Sequence, residues 1–236
     1  MIYCYGDSIT KGTPGLSYTK YIKNKKIKNF GLGGDTLQGL IKRVYLTIDK
    51  RPTDHYIIQI GTNDVLLRFL KNHSNSWRMT VNRLVKRGRF LCDDAQHFYC
   101  LYKDFVEGLL NKEKQVTLIT IPCLGENVDS PLNQIVNQYN TKILTIARDH
   151  AVDLIDFNAW QKNILKSNPS VSAYFISRNP FHMVLDSLLT LCPVFSKYLS
   201  KKRGLLTTVD GCHLNKVGAE GLAKLLSFKK VTTGTV

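Results

Sequence analysis

Asp210 and His213 stand three residues apart across Gly211-Cys212. A carboxylate at that spacing, across a turn, can accept from one ring nitrogen of the histidine and fix its tautomer, leaving the other nitrogen to take a proton from a hydroxyl. A hydroxyl in a suitable setting lies at the far end of the chain. Ser8, in Gly6-Asp7-Ser8-Ile9-Thr10, directly follows the first apolar run, where the start of a helix would help stabilise developing negative charge. Taken alone, Asp-Ser is also an ordinary cap on a tight turn. Asn63, in Gly61-Thr62-Asn63-Asp64, offers a side-chain amide that can donate to an oxyanion, although an Asx turn uses the same residue. Gly31-Leu32-Gly33-Gly34-Asp35-Thr36 frees backbone N–H groups for close approach to a ligand. A dinucleotide loop would need glycine where Thr36 stands and would follow the first strand, not the second, so that reading is disfavoured. His55, His73, His97, His150 and His182 lack such company and read as surface or core residues.

The elements that must position these residues follow from periodicity. Apolar runs rich in β-branched residues are expected as strands at Ile2–Tyr5, Lys28–Phe30, Tyr56–Ile60, Val116–Ile121 and Asp153–Asp156. Helical periodicity is expected at Tyr18–Asn24, Thr36–Tyr45, Asp94–Leu110 and Asn133–His150, with a last helix starting near the capping residue Asn215. The alternation predicts a parallel sheet covered on both faces. Each motif then falls after a strand or before a helix, and ligands bind at the carboxyl ends of strands in such sheets. In the helix at Asn133–His150, Ile135, Val136, Tyr139, Ile143, Ile146 and Ala147 share one face.

Two stretches exceed what simple crossovers need. From about Leu66 to Arg89 the chain is basic, with Arg68, Lys71, Arg78, Arg83, Lys86, Arg87 and Arg89. Between Asp156 and Asp210, the residues Phe181, Val184, Leu185, Leu188, Cys192, Phe195 and Leu199 make one apolar helical face, with Pro193 expected to kink or end the helix. That face is either core packed on the sheet or a cap over an active site.

The composition excludes several classes. With 236 residues, 43% hydrophobic and 22% charged, the chain is that of a globular protein. It has no apolar run near the ~20 residues of a membrane span and no basic n-region of a signal peptide, which points to a cytoplasmic location. Cys4, Cys92, Cys100, Cys123, Cys192 and Cys212 are scattered and read as reduced thiols, not as a metal site or disulfide framework. The net charge of +15 could attract nucleic acid or an anionic surface. Clusters such as Lys23-Asn24-Lys25-Lys26 and Lys201-Lys202-Arg203 lack interleaved aromatics, so solvated faces are favoured over specific nucleic-acid binding, with weak association to anionic surfaces kept as an expectation.

The four motifs occur in one order, with Gly-Asp-Ser in the first ten residues and Asp-x-x-His just before the last helix. Together they make the chain resemble the SGNH hydrolases, also called GDSL esterases and lipases, over roughly 1–160 and 207–228. The resemblance implies a flavodoxin-like three-layer α/β/α sandwich with a central parallel sheet of about five strands. It implies one domain over 1–236, to which the two long stretches would add helical insertions at about 66–92 and 162–206, the latter either core or a cap. It further implies that Ser8 attacks an acyl carbonyl and that His213 is general base and then acid, with Asp210 as its orienter. The oxyanion hole would comprise the Ser8 N–H, the Gly34 N–H and the Asn63 amide. The expected activity is a metal-independent, cofactor-free hydrolysis of small-molecule, glycan or lipid esters through an acyl-enzyme, with O-acetyl esters first. Lysophospholipase, lipase, thioesterase or acyltransferase activity remains open, as does a basic nucleic-acid or anionic-surface binding module on the same fold.

Overall fold

The middle of the sheet is made by three runs of apolar residues: Ile2–Gly6 (β1), His55–Gln59 (β3) and Gln115–Ile119 (β4), each buried from its second residue onward. Strands with no exposed side must be covered on both faces, as parallel strands are. The flanking strands Ile27–Gly31 (β2) and Asp153–Ile155 (β5) are more exposed, as edges are. In the computed structural model, which describes residues 1–23, 25–50, 53, 55–168 and 172–228, all four pairings are parallel and the order is β2-β1-β3-β4-β5. That is the flavodoxin-like order, with the reversal at β1 and β3. Tyr3 and Tyr5, two residues apart and therefore on one face of β1, pack their rings against Phe30 and Tyr56.

The helices among the described residues are Ser8–Lys11 (α1), Leu37–Tyr45 (α2), Thr62–His73 (α3), Asn75–Lys86 (α4), Ala95–Leu110 (α5), Pro131–Asp149 (α6), Phe157–Ser167 (α7), Pro180–Leu189 (α8), Pro193–Lys202 (α9) and Lys216–Phe228 (α10). Helix α2 neighbours α5, which neighbours α6, while α10 neighbours α7, so two helical layers flank the sheet. On α6 the periodic face is buried at Val136, Tyr139, Ile143, Ile146 and Ala147, whereas Ile135 lies at the margin and is exposed. Asn215 caps α10 by accepting from the Gly218 N–H.

Two expectations change. The segment expected as a helix at Tyr18–Asn24 is a single 3-10 turn, Tyr18–Tyr21, and Asn24 lies outside the described residues, as do 51, 52, 54, 169–171 and 229–236. Only Tyr18 of that turn is buried, so no apolar face exists to hold a longer helix, which would be marginal at this length. The second change concerns the apolar face from Phe181 to Leu199. As expected, the first helix ends ahead of Pro193, but Pro193 then opens a second at its first position, where its missing N–H costs nothing. The face is not core: of its seven side chains only Leu199 is buried. What α8 and α9 turn inward is polar. Asp186 and Thr190 are the buried residues at the inner side of α8, and Ser196 and Ser200 accompany Leu199 on α9.

Candidate active site

β1 delivers the serine. Asp7 is the cap of α1, its Oδ1 accepting from the Ile9 N–H at 2.8 Å, and Ser8 is the first residue of the helix. The histidine arrives from the other end of the chain on a turn. Asp210 Oδ1 accepts from the backbone N–H groups of Cys212 at 2.9 Å and His213 at 2.8 Å, which folds the turn back on itself. Gly211, at φ +87°, supplies the left-handed conformation this turn needs, and a side chain there would meet Phe175. The result joins residues 205 positions apart. Asp210 Oδ2 lies 2.7 Å from His213 Nδ1, and His213 Nε2 lies 2.9 Å from Ser8 Oγ. With Nδ1–H donating to the carboxylate, Nε2 is left to accept from the serine hydroxyl. All three side chains are nearly enclosed, with Ser8 7%, Asp210 2% and His213 3% exposed.

The turn is fastened from several directions. Val209 N–H donates to the His213 carbonyl, Gly125 N–H to the Gly211 carbonyl and Ile176 N–H to the Asp210 carbonyl. Just upstream, the buried Glu126 carboxylate accepts from the backbone N–H groups of Leu206, Thr207 and Thr208 at 2.6–3.0 Å. Arg203 donates to the Val209 carbonyl at 2.8 Å while its guanidinium forks onto Asp186.

Gly34 and Asn63 follow β2 and β3, the strands on either side of β1. Gly34 sits at φ +70°, where a side chain would find space but not a comfortable backbone. Asn63 enters α3 one residue after its start and donates through Nδ2 to the Asp35 carbonyl at 2.8 Å, so its amide lies against the loop that carries Gly34. That amide keeps a second N–H. The loop is anchored by a buried cluster: Asp35 accepts from Arg43 at 2.6 and 2.8 Å and from Arg89 at 2.9 Å, and Leu32 N–H donates to the Gly6 carbonyl. Asp64 accepts from the Leu37 N–H and ties α3 to the start of α2.

Charge follows this geometry. Burial would push the His213 imidazolium down, but the Asp210 carboxylate outweighs it by charge and hydrogen bond, with help from Asp7, and holds His213 above the usual histidine value. Asp210 feels the same burial, which raises its carboxyl, and is nonetheless brought below the usual carboxylate range by His213 and the backbone donors. Asp7, unused by the relay, is pushed up to about 7 by burial. Among the described residues no group of three or more His, Cys, Asp or Glu is placed to hold a metal ion. No helix among them is long and apolar enough to cross a membrane.

The structure therefore brings Ser8, Asp210 and His213 into direct contact and sets Gly34 and Asn63 at the neighbouring strand ends. Sequence reasoning missed the supports. Arg89 stands in the basic stretch from 66 to 89 with nothing to mark it as the partner of buried Asp35, and Glu126 has no local signal, because its partners lie some eighty residues further on. A cavity of about 580 Å³ lies behind the turn, between α3 and the segments 124–127 and 172–175. Phe175 lines it and packs on Gly211.

A flavodoxin-like sheet with a Ser–His–Asp relay at its strand ends belongs, by class, to a carboxylic ester hydrolase. The model of the GDSL-like Lipase/Acylhydrolase family matches residues 4–183, and the chain belongs to that family. The match takes in Ser8, Gly34 and Asn63 and stops short of Asp210 and His213. Among solved structures the chain is similar to the acetyl xylan esterase AlAXEase, at 20% identity over 96% of this chain and 98% of that one, with a TM-score of 0.63. It is also similar to Axe2, an acetylxylan esterase from Geobacillus stearothermophilus, at 19% identity over 95% and 91% of the two chains, TM-score 0.61. A member of the lipolytic protein G-D-S-L family from Veillonella parvula DSM 2008 matches at 19% identity over 95% and 94%, TM-score 0.57. At these identities the likeness is one of fold. No curated protein sequence matches the chain.

Proposed function

We propose that the chain hydrolyses short-acyl esters, O-acetyl esters foremost, through an acyl-enzyme formed on Ser8. The observation that carries this reading is the relay Asp210–His213–Ser8, with both hydrogen bonds at 2.9 Å or less. Ser8 Oγ attacks the acyl carbonyl while His213 Nε2 takes its proton. The oxyanion is met by the N–H groups of Ser8 and Gly34 and by the free amide N–H of Asn63. His213 then hands the proton to the departing alcohol, and the acyl group stays on Ser8. Water, deprotonated by the same Nε2, attacks the acyl-enzyme and releases the acid. Three features favour a small acyl group: the narrow exposure of Ser8, the spelling Gly6-Asp7-Ser8-Ile9-Thr10-Lys11-Gly12, and the acetylxylan esterases among the similar folds. The outward apolar face of α8 and α9 favours a second reading, a lysophospholipid substrate.

Ser8→Ala should lower turnover on the order of a millionfold without unfolding the protein, and a fluorophosphonate should label Ser8 alone. Assayed beside acetylated xylooligosaccharides and lysophosphatidylcholine, p-nitrophenyl esters should give the highest kcat/KM with acetate and a steady fall with chain length. A maximum at octanoate or longer, or with lysophosphatidylcholine, overturns the short-acyl reading. A Ser8→Ala protein with a few per cent of its activity overturns the nucleophile.

A further inference from the structure

A helix on a water-soluble protein ordinarily turns its apolar stripe inward. The pair α8 and α9 does the reverse. Phe181, Val184, Leu185 and Leu188 recur at three- and four-residue steps on α8 and are all exposed, Leu188 at 63%. On α9, Val194, Phe195 and Tyr198 are likewise exposed, Val194 at 73%. The inner side is polar and well fastened. Asp186 is buried against Arg203, Thr190 Oγ1 accepts from the Gly15 N–H, and Ser200 Oγ donates to the Thr208 carbonyl. The apolar side is therefore not a consequence of loose attachment: the pair is held rigidly with this face outward. An apolar face of this extent on the outside of a soluble protein marks an interaction site.

The charge around it selects the partner. Between 172 and 203 the one acidic residue is Asp186, and it is already taken by Arg203. Lys197, Lys201 and Lys202 are exposed along α9, and Lys202 Nζ lies 6.0 Å from the exposed Tyr198 ring, a charged head beside an apolar body. Helix α4 packs beside α8, fastened through Trp77 Nε1 to the Ser177 carbonyl and Ser74 Oγ to the Arg178 carbonyl. It adds exposed Arg78, Arg83 and Lys86, in a stretch from 65 to 92 with no acidic residue. Exposed cations thus lie along α9 itself and on α4, the helix packed beside α8. A second copy of the chain docked on this face would set cations against cations. Nucleic acid offers negative charge but no apolar phase to receive Leu188 and Phe195. An anionic lipid surface offers both, and basic helices with an outward apolar face lie in such an interface.

We propose that α8 and α9, bordered by α4, dock the protein on an anionic lipid surface. The surface lies close to the relay: Thr190 holds Gly15, and Gly15 stands against the His213 side chain. The proposal goes beyond the esterase reading and does not depend on it, since its readout is binding.

The test is co-sedimentation of the full chain with vesicles of phosphatidylcholine alone and of phosphatidylcholine containing phosphatidylglycerol. Binding should favour the anionic vesicles by more than about tenfold and weaken as salt rises. The double variant Leu188→Ser/Phe195→Ser should lose this binding, and Lys197→Glu/Lys201→Glu should lose it by more than about tenfold. Both variants should keep the wild-type far-ultraviolet circular dichroism and melting transition, which shows them folded. Absence of binding to anionic vesicles, or equal binding to neutral ones, overturns the proposal. So does a dimer in sedimentation velocity that Leu188→Ser/Phe195→Ser abolishes, because the face then belongs to a second copy.

Discussion

The Asp210–His213 turn and the α8–α9 pair are near neighbours in sequence and touch through Arg203, yet they use polar groups in different ways. In the turn, both oxygens of one buried carboxylate are committed, one to backbone and one to an imidazole, and the imidazole is held against the Ser8 hydroxyl. In the helix pair, buried polar groups at Asp186, Thr190, Ser196 and Ser200 serve to mount an apolar face towards solvent. Buried polarity is costly unless satisfied: Asp210 in the turn and Asp186, Thr190 and Ser200 in the pair have specific partners, while the buried Ser196 hydroxyl has none. What differs is where the apolar surface ends up, so burial of polar groups alone does not distinguish a catalytic site from a mounting.

Substitutions in the two regions should separate along that line. The largest effect belongs to the turn. Asp210→Asn keeps an acceptor for the backbone but offers Nδ2–H to His213, which fixes the wrong tautomer, and kcat should fall by about ten-thousandfold with the fold intact. A loss below about tenfold would remove Asp210 from the relay. Next comes the mounting. Asp186→Ala leaves the Arg203 guanidinium, 14% exposed, without its carboxylate, and should cost about 3 kcal/mol in urea unfolding. An unchanged midpoint would show that the pair is held by other contacts.

The pH dependence gives a smaller, graded effect. The relay needs neutral His213, so kcat/KM should rise with pH through an ionisation above the ordinary value of ~6.5, because Asp210 and Asp7 favour the imidazolium. Asp7 loses its proton near 7, so its charge is present over the upper part of that rise. Asp7→Asn keeps an acceptor for the Ile9 N–H and removes a negative neighbour, which lowers the His213 pKa. The rising limb should move to lower pH, and a shift to higher pH would refute the coupling. The smallest effect is Leu188→Ser, which should change stability by no more than about 0.5 kcal/mol, since little apolar area leaves or enters water. A loss of ~2 kcal/mol would mean that this face is buried after all.

The residues that meet at the candidate site were legible in the sequence because their signals are local. Asp210 and His213 form one turn, Ser8 opens the helix just after one strand, and strand ends are where such groups gather. The sheet was legible for the same reason: β1, β3 and β4 are continuous apolar runs. The 3-10 turn at Tyr18–Tyr21 was not, because three apolar residues at helical spacing do not say how much of a helix will be covered. Nor were the long-range clamps of Asp35 on Arg43 and Arg89, or of Glu126 on the 206–208 backbone, which pair residues without any periodic signal. The inversion of α8 and α9 exposes a deeper limit. Periodicity states which side chains share a face and is silent on which face is turned inward. The clue was the opposite face, where Asp186 and Thr190, and then Ser196 and Ser200, also recur four residues apart.

The hydrogen bond between Ser8 and His213 closes a loop of 205 residues. At ordinary translation speeds of about 5–20 residues per second, the serine leaves the ribosome roughly 10–40 s before the histidine it bonds to. Through that interval β1 can pair and α1 can form, but the Ser8 hydroxyl lacks its imidazole partner. On the proposed mechanism, an interrupted or prematurely released chain would carry Ser8 in place and be inert, so ester cleavage would report a chain made at least to His213 and closed on its own beginning.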